Sequence, residues 1–179
     1  MKTIYFVRHG ESKANVEGIA AGAEFDTPLT KNGEAQARKM GEVLKDKKVD
    51  LIISSPLKRA VKTAEIIAQE IGYDPKKIIT NQIFIERGLG VYAKRPISDF
   101  AAAYERGVLH KSVETAEDLV KRVAKGVEWL ASQKADEIIV VSHSDVNGAL
   151  RLIQQKLPYT HLYELEELGN AKMYEFTIE

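Results

Sequence analysis

The sequence predicts an α/β protein in which helices cover both faces of a mostly parallel central sheet, a three-layer αβα sandwich. Short apolar runs alternate along the chain with segments whose apolar residues recur at helical spacing, and this alternation is typical of parallel strands joined by helical crossovers. The 179 residues contain no repeat, no low-complexity tract and no linker long enough to separate two domains. We therefore expect residues 1–179 to form a single domain with a substantial core.

Five segments are predicted to be strands. Four are short apolar runs fit for a buried sheet, and the fifth is a C-terminal segment in which apolar and polar residues alternate. The apolar runs are residues 3–7, 49–53, 83–85 and 137–141, and the alternating segment passes through Tyr174, Phe176 and Ile178. Because that last strand could lie at a sheet edge and pair with a second copy, a homodimer stays open.

Three helices are predicted from their caps. Thr30 can cap a helix that runs through Lys45, and Ser55-Pro56 is typical of an N-cap followed by the first helical residue. Thr115-Ala116-Glu117-Asp118 resembles a capping box at the start of a third helix. Residues 87–113 have weaker periodicity, and we expect them to form a covering excursion rather than part of the core.

The charge and composition exclude several classes of partner and chemistry. With 26 basic and 26 acidic residues the net charge is zero, so no overall field attracts nucleic acid or an anionic membrane, and we expect neither as a partner. The absence of cysteine excludes disulfides, thiolate catalysis and cysteine-based metal sites. No window approaches 18 consecutive apolar residues and the N-terminal segment has a strand pattern, so a cytoplasmic location is expected.

Three of the predicted strands run directly into polar residues. They end at Arg8-His9-Gly10, at Ser54-Ser55 and at Ser142-His143-Ser144. Ligands of open parallel α/β sheets bind just beyond the carboxyl ends of the strands. We therefore expect side chains from distant parts of the chain to converge there, namely Arg8, His9, Ser55, Arg59 and His143.

Arg59 indicates that the ligand is an anion. In the first turn of a helix the macrodipole disfavours a cation, while the free N–H groups favour an anion, so a positive side chain there makes most sense beside a bound anion. Arginine matches phosphate oxygens bidentately, and histidine can be a neutral nucleophile near pH 7. Two arginines and two histidines around one point therefore suit phosphoryl transfer through a phosphohistidine.

The same residues resemble a family signature. Arg8-His9-Gly10-Glu11-Ser12 followed by Asn15 resembles the RHG[ET]-x-x-N motif of the histidine phosphatase superfamily, also called phosphoglycerate mutase-like. The resemblance continues in the family's order through residues 26–30, 33, 36–37, 54–60, 63–64, 84–86 and 141–143. A single RHG triplet would be weak evidence, but ordered blocks over nearly the whole chain are strong. The resemblance implies the phosphoglycerate mutase-like fold, and we expect the excursion at residues 87–113 to cover its active site.

The resemblance also implies roles for individual residues. His9 would be the nucleophile that is transiently phosphorylated, and Glu86 the general acid that protonates the leaving oxygen and then helps to activate water. Such an acid needs a raised pKa, and the attacking nitrogen of His9 must be free of a proton. Neither a metal nor another cofactor is required. The side chains that would hold the phosphoryl oxygens or line the same pocket are Arg8, Arg59, His143 and Asn15.

Two features bear on the substrate. Many relatives have Gly-Gly or Gly-Asn after the second histidine, whereas this chain has Ser144-Asp145. An acid at that place is expected to point away from the phosphate or to pair with a base such as Lys94 or Arg95. The bases of the excursion favour a small substrate with a second anionic group; they are Arg87, Lys94, Arg95, Arg106 and Lys111.

These patterns predict a phosphomonoester hydrolase that acts through a phosphohistidine on a small phosphorylated metabolite. Two alternatives stay open. A cofactor-dependent phosphoglycerate mutase would return the phosphoryl group to its bound product; Glu86-Arg87 matches the pattern of those enzymes, which are typically longer. A non-catalytic phospho-ligand sensor would keep the pocket without turnover, and the complete set of histidines and arginines with a candidate acid argues against it.

Overall fold

The computed structural model describes all 179 residues and contains one five-stranded sheet between two layers of helices. The sheet order is β3-β2-β4-β1-β5, and every neighbouring pair is parallel except β1 with β5. The predicted α/β fold with a mostly parallel sheet is therefore confirmed. The strands are β1 (Lys2–Arg8), β2 (Leu51–Ser54), β3 (Ile79–Thr80), β4 (Glu137–Ser142) and β5 (Met173–Ile178). The helices are α1 (Lys13–Glu17), α2 (Lys31–Leu44), α3 (Lys58–Ile71), α4 (Ile97–Glu105), α5 (Ala116–Ser132) and α6 (Ser144–Gln155).

The side chains of β1 explain why the sheet is covered on both faces. Successive side chains of a strand point to opposite faces. Ile4 and Phe6 join one core with residues of α5 and α6, while Tyr5 and Val7 join a second core with residues of α2 and α3. All four are at most 2% exposed, and burying a large apolar side chain stabilises the fold by about 1.5–3 kcal/mol. The run is continuously apolar because neither face of β1 meets water.

Side-chain caps begin two helices where the sequence predicts them. Thr30 Oγ1 accepts a hydrogen bond from the backbone N–H of Gly33 at the start of α2. Thr115 Oγ1 accepts one from the N–H of Asp118 at the start of α5. Each such cap stabilises its helix by about 1 kcal/mol, and both predicted starts are confirmed.

The predicted start of α3 is wrong by two residues, since Leu57 rather than Ser55 is the N-cap. Ser55 forms a turn before the helix: its Oγ accepts a hydrogen bond from Leu57 N (3.3 Å) and lies 2.7 Å from Nε2 of His143. The capping role passes to a distant residue, because the carboxylate of Asp26 accepts a hydrogen bond from Lys58 N.

The strand predicted at residues 83–85 is also wrong. Gln82–Phe84 forms a 3₁₀ turn, in which Oδ1 of the N-cap Asn81 accepts a hydrogen bond from Ile83 N. The third strand lies earlier, at Ile79–Thr80 on the sheet edge. The apolar run reflects burial rather than strand pairing, because Phe84 packs into the core beside α5.

Residues 87–113 contain a 3₁₀ turn at Gly90–Tyr92 and the helix α4. Leu89, Phe100 and Val113 of this segment pack with Ala20 in a small cluster that is separate from the two large cores. None of the six helices combines the length and the apolar composition needed to cross a membrane.

Candidate active site

The carboxyl ends of β1 and β4 bring the two predicted histidines together. Arg8 is in register with Ser142 across the parallel pair, and the N–H of His9 donates to the carbonyl of Ser142 at 2.9 Å. The ring of His143 follows immediately, with its centroid 5.1 Å from that of His9 in an edge-on arrangement. Both residues are buried, at 4% and 0% exposure.

His9 is held as a neutral imidazole with one nitrogen free. Its Nδ1 lies 2.7 Å from the carbonyl oxygen of Gly10. A carbonyl can only accept, so Nδ1 carries the proton and Nε2 carries the lone pair. Burial, together with the positive charges of Arg59 and Arg8, lowers the pKa of His9 to about 3, although the bond to Gly10 opposes this. The ring is therefore unprotonated at Nε2 at neutral pH.

The glycine after His9 is required by a close backbone contact. The N–H of Gly10 donates to Oγ1 of Thr63 in α3 at 3.0 Å. A Cβ at Gly10 would collide with the carbonyl group of Gly33 in the first turn of α2, and a Cβ at Gly33 would collide with the backbone of Glu11. Two glycines thus let the loop after β1 lie directly on α2, and this contact fixes the position of His9.

Arg59 is a buried guanidinium beside His9. It is 2% exposed, and its Nη1 donates to Oδ1 of Asp26 at 3.0 Å and to the carbonyl of Phe25 at 3.1 Å. Its Nη2 donates to the carbonyl of Gly22 at 2.9 Å. Burial lowers the pKa of Arg59 while Glu86 and Asp26 raise it, and an arginine stays charged under such shifts. The protein therefore maintains a fixed positive charge at this point.

Arg8 supplies the second guanidinium. Its Nη1 donates to Oε1 of Glu167 at 2.5 Å and to the carbonyl of Leu168 at 2.7 Å. Three buried donor or acceptor atoms in this region have no hydrogen-bond partner within the protein: Nε of Arg8, Nδ1 of His143 and Nδ2 of Asn147. Buried polar groups without partners are rare, and this concentration beside His9 fits an anion site.

Glu86 follows the 3₁₀ turn that replaces the predicted strand. Its Oε1 accepts a hydrogen bond from Arg87 N at 2.9 Å. Burial and the nearby charge of Asp145 raise the pKa of Glu86 to about 7, against the opposing effects of its bond to Arg87 N, Arg59 and Arg8. A carboxyl group with that pKa can both hold and release a proton near neutral pH.

Asp145 pairs with a base that the sequence did not suggest. Instead of Lys94 or Arg95, its carboxylate accepts a hydrogen bond from the hydroxyl of Tyr163 (2.9 Å) and lies 3.8 Å from Nη1 of Arg87. Arg87 is only 2% exposed and its guanidinium lies over the rings of Phe100 and Tyr163, at 5.7 and 5.6 Å. Sequence reasoning missed this cluster because its members come from four segments far apart in the chain, two helices and two loops.

Asn15 is held by hydrogen bonds that its position in the sequence motif does not predict. Its Oδ1 accepts hydrogen bonds from Ser12 N at 3.0 Å and from Nδ2 of Asn170 at 3.2 Å. Ser12 in turn caps α1 through its Oγ, which accepts from Asn15 N at 3.4 Å. The side chain nevertheless lies on the wall of the cavity beside His9.

One cavity of about 520 Å³ joins these residues. Its inner end is formed by Arg8, His9, Arg59 and Glu86, while His143 lies directly behind His9 and is not part of the wall. Its other part, here called the outer chamber, is walled by Ile97, Phe100, Tyr104 and Glu105 of α4 and by residues 162, 163 and 165–168. A cavity of this size is typical of a small-molecule site.

The fold and this site define a class: α/β proteins with a histidine and two arginines at the carboxyl ends of a mostly parallel sheet. Residues 4–179 match the family model for the histidine phosphatase superfamily (branch 1), and the chain belongs to that family. The family resemblance seen in the sequence is thereby confirmed.

Known proteins similar to this chain include both phosphatases and a mutase. It is 34% identical over 151 residues to the uncharacterized phosphatase PhoE of Bacillus subtilis, covering 84% of this chain and 76% of that protein. It is 35% identical over 151 residues to the 2,3-bisphosphoglycerate-dependent phosphoglycerate mutase of Thermoplasma acidophilum, covering 81% and 72%. Among solved structures, YhfR of Bacillus stearothermophilus superposes with a TM-score of 0.88 at 24% identity, covering 100% and 92%, which supports the fold.

Proposed function

We propose that the protein is a phosphomonoester hydrolase that forms a phosphohistidine at Nε2 of His9. The observation that carries this proposal is the hydrogen bond from Nδ1 of His9 to the carbonyl of Gly10 at 2.7 Å. It leaves a lone pair on Nε2 inside a buried site next to two guanidiniums. Those charges keep the ring neutral and favour the binding of a phosphoryl group.

In the first step Nε2 of His9 attacks the phosphorus and the bond from phosphorus to the ester oxygen breaks. The Glu86 carboxyl group donates its proton to that oxygen, so that a neutral alcohol leaves and Glu86 becomes a carboxylate. Arg8 and Arg59 stabilise the charge on the phosphoryl oxygens. His143 is buried edge-on to His9, with 5.1 Å between the ring centroids, and its Nδ1 has no hydrogen-bond partner within the protein.

In the second step the Glu86 carboxylate accepts a proton from water as the water oxygen attacks the phosphorus. The bond between phosphorus and Nε2 breaks, and its electron pair returns to the imidazole. Inorganic phosphate leaves, and Glu86 is protonated again. A pKa of about 7 for Glu86 supports both roles, because donating and accepting a proton are then comparably easy near neutral pH.

Hydrolysis is favoured over the two other functions by the surroundings of the inner end. A mutase must hold a product with further anionic groups, and the only cations on the cavity wall are the two arginines of the inner end. A non-catalytic sensor needs the anion site but no acid, whereas Glu86 is half-buried on the cavity wall and has a raised pKa.

The test is to trap the covalent intermediate. Wild-type protein is mixed with ³²P-labelled 4-nitrophenyl phosphate, quenched in alkali and digested, and the label is mapped by mass spectrometry. We expect an acid-labile phosphoryl group on the peptide that contains His9. His9→Ala should lose the label and lower turnover by about 10³-fold or more.

The matched control is His110→Ala, because His110 is exposed and lies outside the cavity. This variant should keep both label and turnover. Full phosphatase activity in correctly folded His9→Ala, checked by circular dichroism, would refute the proposal.

A further inference from the structure

The outer chamber offers carbon-rich surface to whatever is attached to the phosphoryl group. Ile97, Phe100 and Tyr104 of α4 line it together with Leu162, Leu165 and Leu168. Since the whole cavity measures about 520 Å³, it has room for a group much larger than phosphate. The apolar walls suit an alcohol with a sizeable hydrocarbon or aromatic body.

The charged side chains of the outer chamber are all carboxylates. Glu105, Glu166 and Glu167 line it. Glu167 is paired with Arg8, whereas Glu105 and Glu166 form no ion pair. Arg151, whose Nη1 donates to the carbonyl of Glu166 at 2.6 Å, does not line the cavity. The charged side chains on the wall of the outer chamber are therefore all negative, whereas the inner end is lined by two guanidiniums.

The bases that the sequence assigned to this region do not reach the cavity. Arg87 is sealed beneath Phe100 and Tyr163 and paired with Asp145. Lys94 lies over the ring of Phe25, 5.6 Å from its centroid, and does not line the wall. Arg95, Arg106 and Lys111 also lie outside it. The expectation of a substrate with a second anionic group therefore has no cation to support it.

We propose that the substrate is a phosphomonoester of an alcohol that has an apolar body and no second anionic group. The end of the alcohol far from the phosphate, its tail, can be neutral or carry an ammonium group. An anionic tail would lose hydration without gaining a partner and would be repelled by Glu105 and Glu166. This inference rests on the proposed hydrolase function. It assigns the selectivity of that reaction to the carboxylates of α4 and of residues 162–168.

Three aryl phosphates that differ only at the far end of a two-carbon arm test the proposal. They are 4-ethylphenyl phosphate, tyramine O-phosphate and 3-(4-hydroxyphenyl)propanoate O-phosphate. The two methylenes insulate the phenol, so that the leaving groups have similar acidity and the chemical step is matched. We expect kcat/KM for the propanoate to be about tenfold below that for the ethyl compound, with the amine equal or better. The difference should shrink in 1 M salt.

Variants in which glutamate is replaced by uncharged glutamine test which residues cause the difference between the esters. In the double variant Glu105→Gln, Glu166→Gln the ratio of ethyl to propanoate kcat/KM should fall by about threefold or more. The matched control is Glu164→Gln, because Glu164 is in the same loop but outside the cavity and pairs with His161. It should leave the ratio unchanged.

The outcomes separate this inference from the function on which it rests. Failure of wild-type protein to hydrolyse any of the three esters would overturn the hydrolase proposal and the inference with it. Hydrolysis of the propanoate as fast as the ethyl compound, or an unchanged ratio in the double variant, would overturn only the inference.

Discussion

The inner end and the outer chamber of the same cavity are built in opposite ways. The inner end comes from strand termini and the first turn of α3, where His9 and Arg59 are almost completely buried and fixed by backbone hydrogen bonds. The outer chamber comes from α4 and residues 162–168, and its carboxylates Glu105, Glu166 and Glu167 are exposed. One end is cationic, and the other is apolar with a negative rim.

If both proposals hold, this difference assigns the reaction and the choice of substrate to different parts of the fold. The sheet holds the groups proposed for phosphoryl transfer, and changes there should alter the reaction with every substrate. Helix α4 and the loop that contains Glu166 hold the groups proposed to meet the alcohol, and changes there should alter the choice of substrate. Substitutions at the two ends can test this division.

The largest effect is expected at Arg59. Arg59→Met removes a buried charge and leaves Asp26 and the carbonyls of Gly22 and Phe25 without their donor. We expect kcat/KM to fall by about 10³-fold for every phosphomonoester and the free energy of unfolding to fall by about 3–5 kcal/mol. Kinetics and urea unfolding measure both.

The control for Arg59 is Arg38→Met, which removes an exposed arginine paired with Glu34 within α2. It should change stability by less than about 0.5 kcal/mol and leave kinetics unaltered. If Arg59→Met lost activity on only some esters, the two ends of the cavity would not have the separate roles proposed for them.

An intermediate effect is expected at Glu86. Glu86→Gln should lower kcat/KM by about 10²-fold for 2-phenylethyl phosphate, whose alkoxide needs a proton, and far less for 4-nitrophenyl phosphate. Since the acid form is required and its pKa is about 7, wild-type activity on the alkyl ester should fall as the pH rises above 7. The variant should lack that alkaline limb. Equal losses of kcat/KM on both esters would show that Glu86 is not the general acid. The control is Glu175→Gln, because Glu175 is exposed.

The same carboxyl group should affect stability in a defined pH window. Its pKa is raised from 4.5 to about 7, so between those values the native protein holds a proton that the unfolded chain releases. The free energy of unfolding therefore decreases as the pH rises from 4.5 to about 7, because the native protein must then ionise Glu86 in its buried surroundings. Urea unfolding should show Glu86→Gln gaining on the order of 2 kcal/mol over wild type between pH 4 and pH 8. A difference in free energy of unfolding between Glu86→Gln and wild type that does not change with pH would contradict the raised pKa.

The smallest effect is expected at Tyr163. Tyr163→Phe removes the hydroxyl that donates to Asp145 and accepts from Nη1 of Arg87, two bonds worth about 1 kcal/mol each. The melting temperature should fall by about 4–8 °C, while turnover of 4-nitrophenyl phosphate should stay within about threefold. Tyr159→Phe, at an exposed residue, is the control for both measurements. A loss as large as that of Arg59→Met would show that the two ends are not separate.

The parts of the site that the sequence predicted are those set by local patterns. Continuous apolar runs predicted β1, β2 and β4, and the residues after them marked the sheet edge where His9, His143 and Arg59 meet. The pattern could place these residues because parallel strands must align their carboxyl ends. The N-cap at Thr30 could also be predicted, since Gly33, whose N–H the threonine accepts, lies only three residues later.

What the sequence did not predict depends on contacts between distant segments. α3 begins at Lys58 because Asp26, far earlier in the chain, caps it. Asp145 pairs with Arg87 rather than Lys94 because Phe100 and Tyr163 enclose that guanidinium. Residues 83–85 were read as a strand because burial in a 3₁₀ turn leaves the same apolar signature as burial in a sheet.

The place of β1 in the sheet has a consequence for synthesis on the ribosome. β1 is made first, yet its only sheet neighbours are β4 and β5, the last two strands of the chain. Until those strands emerge, the segment Ile4-Tyr5-Phe6-Val7 has no partner and its histidine lies in water rather than in a buried site. A nascent chain that stopped before residue 137 would carry the proposed nucleophile without the burial that surrounds it in the folded protein.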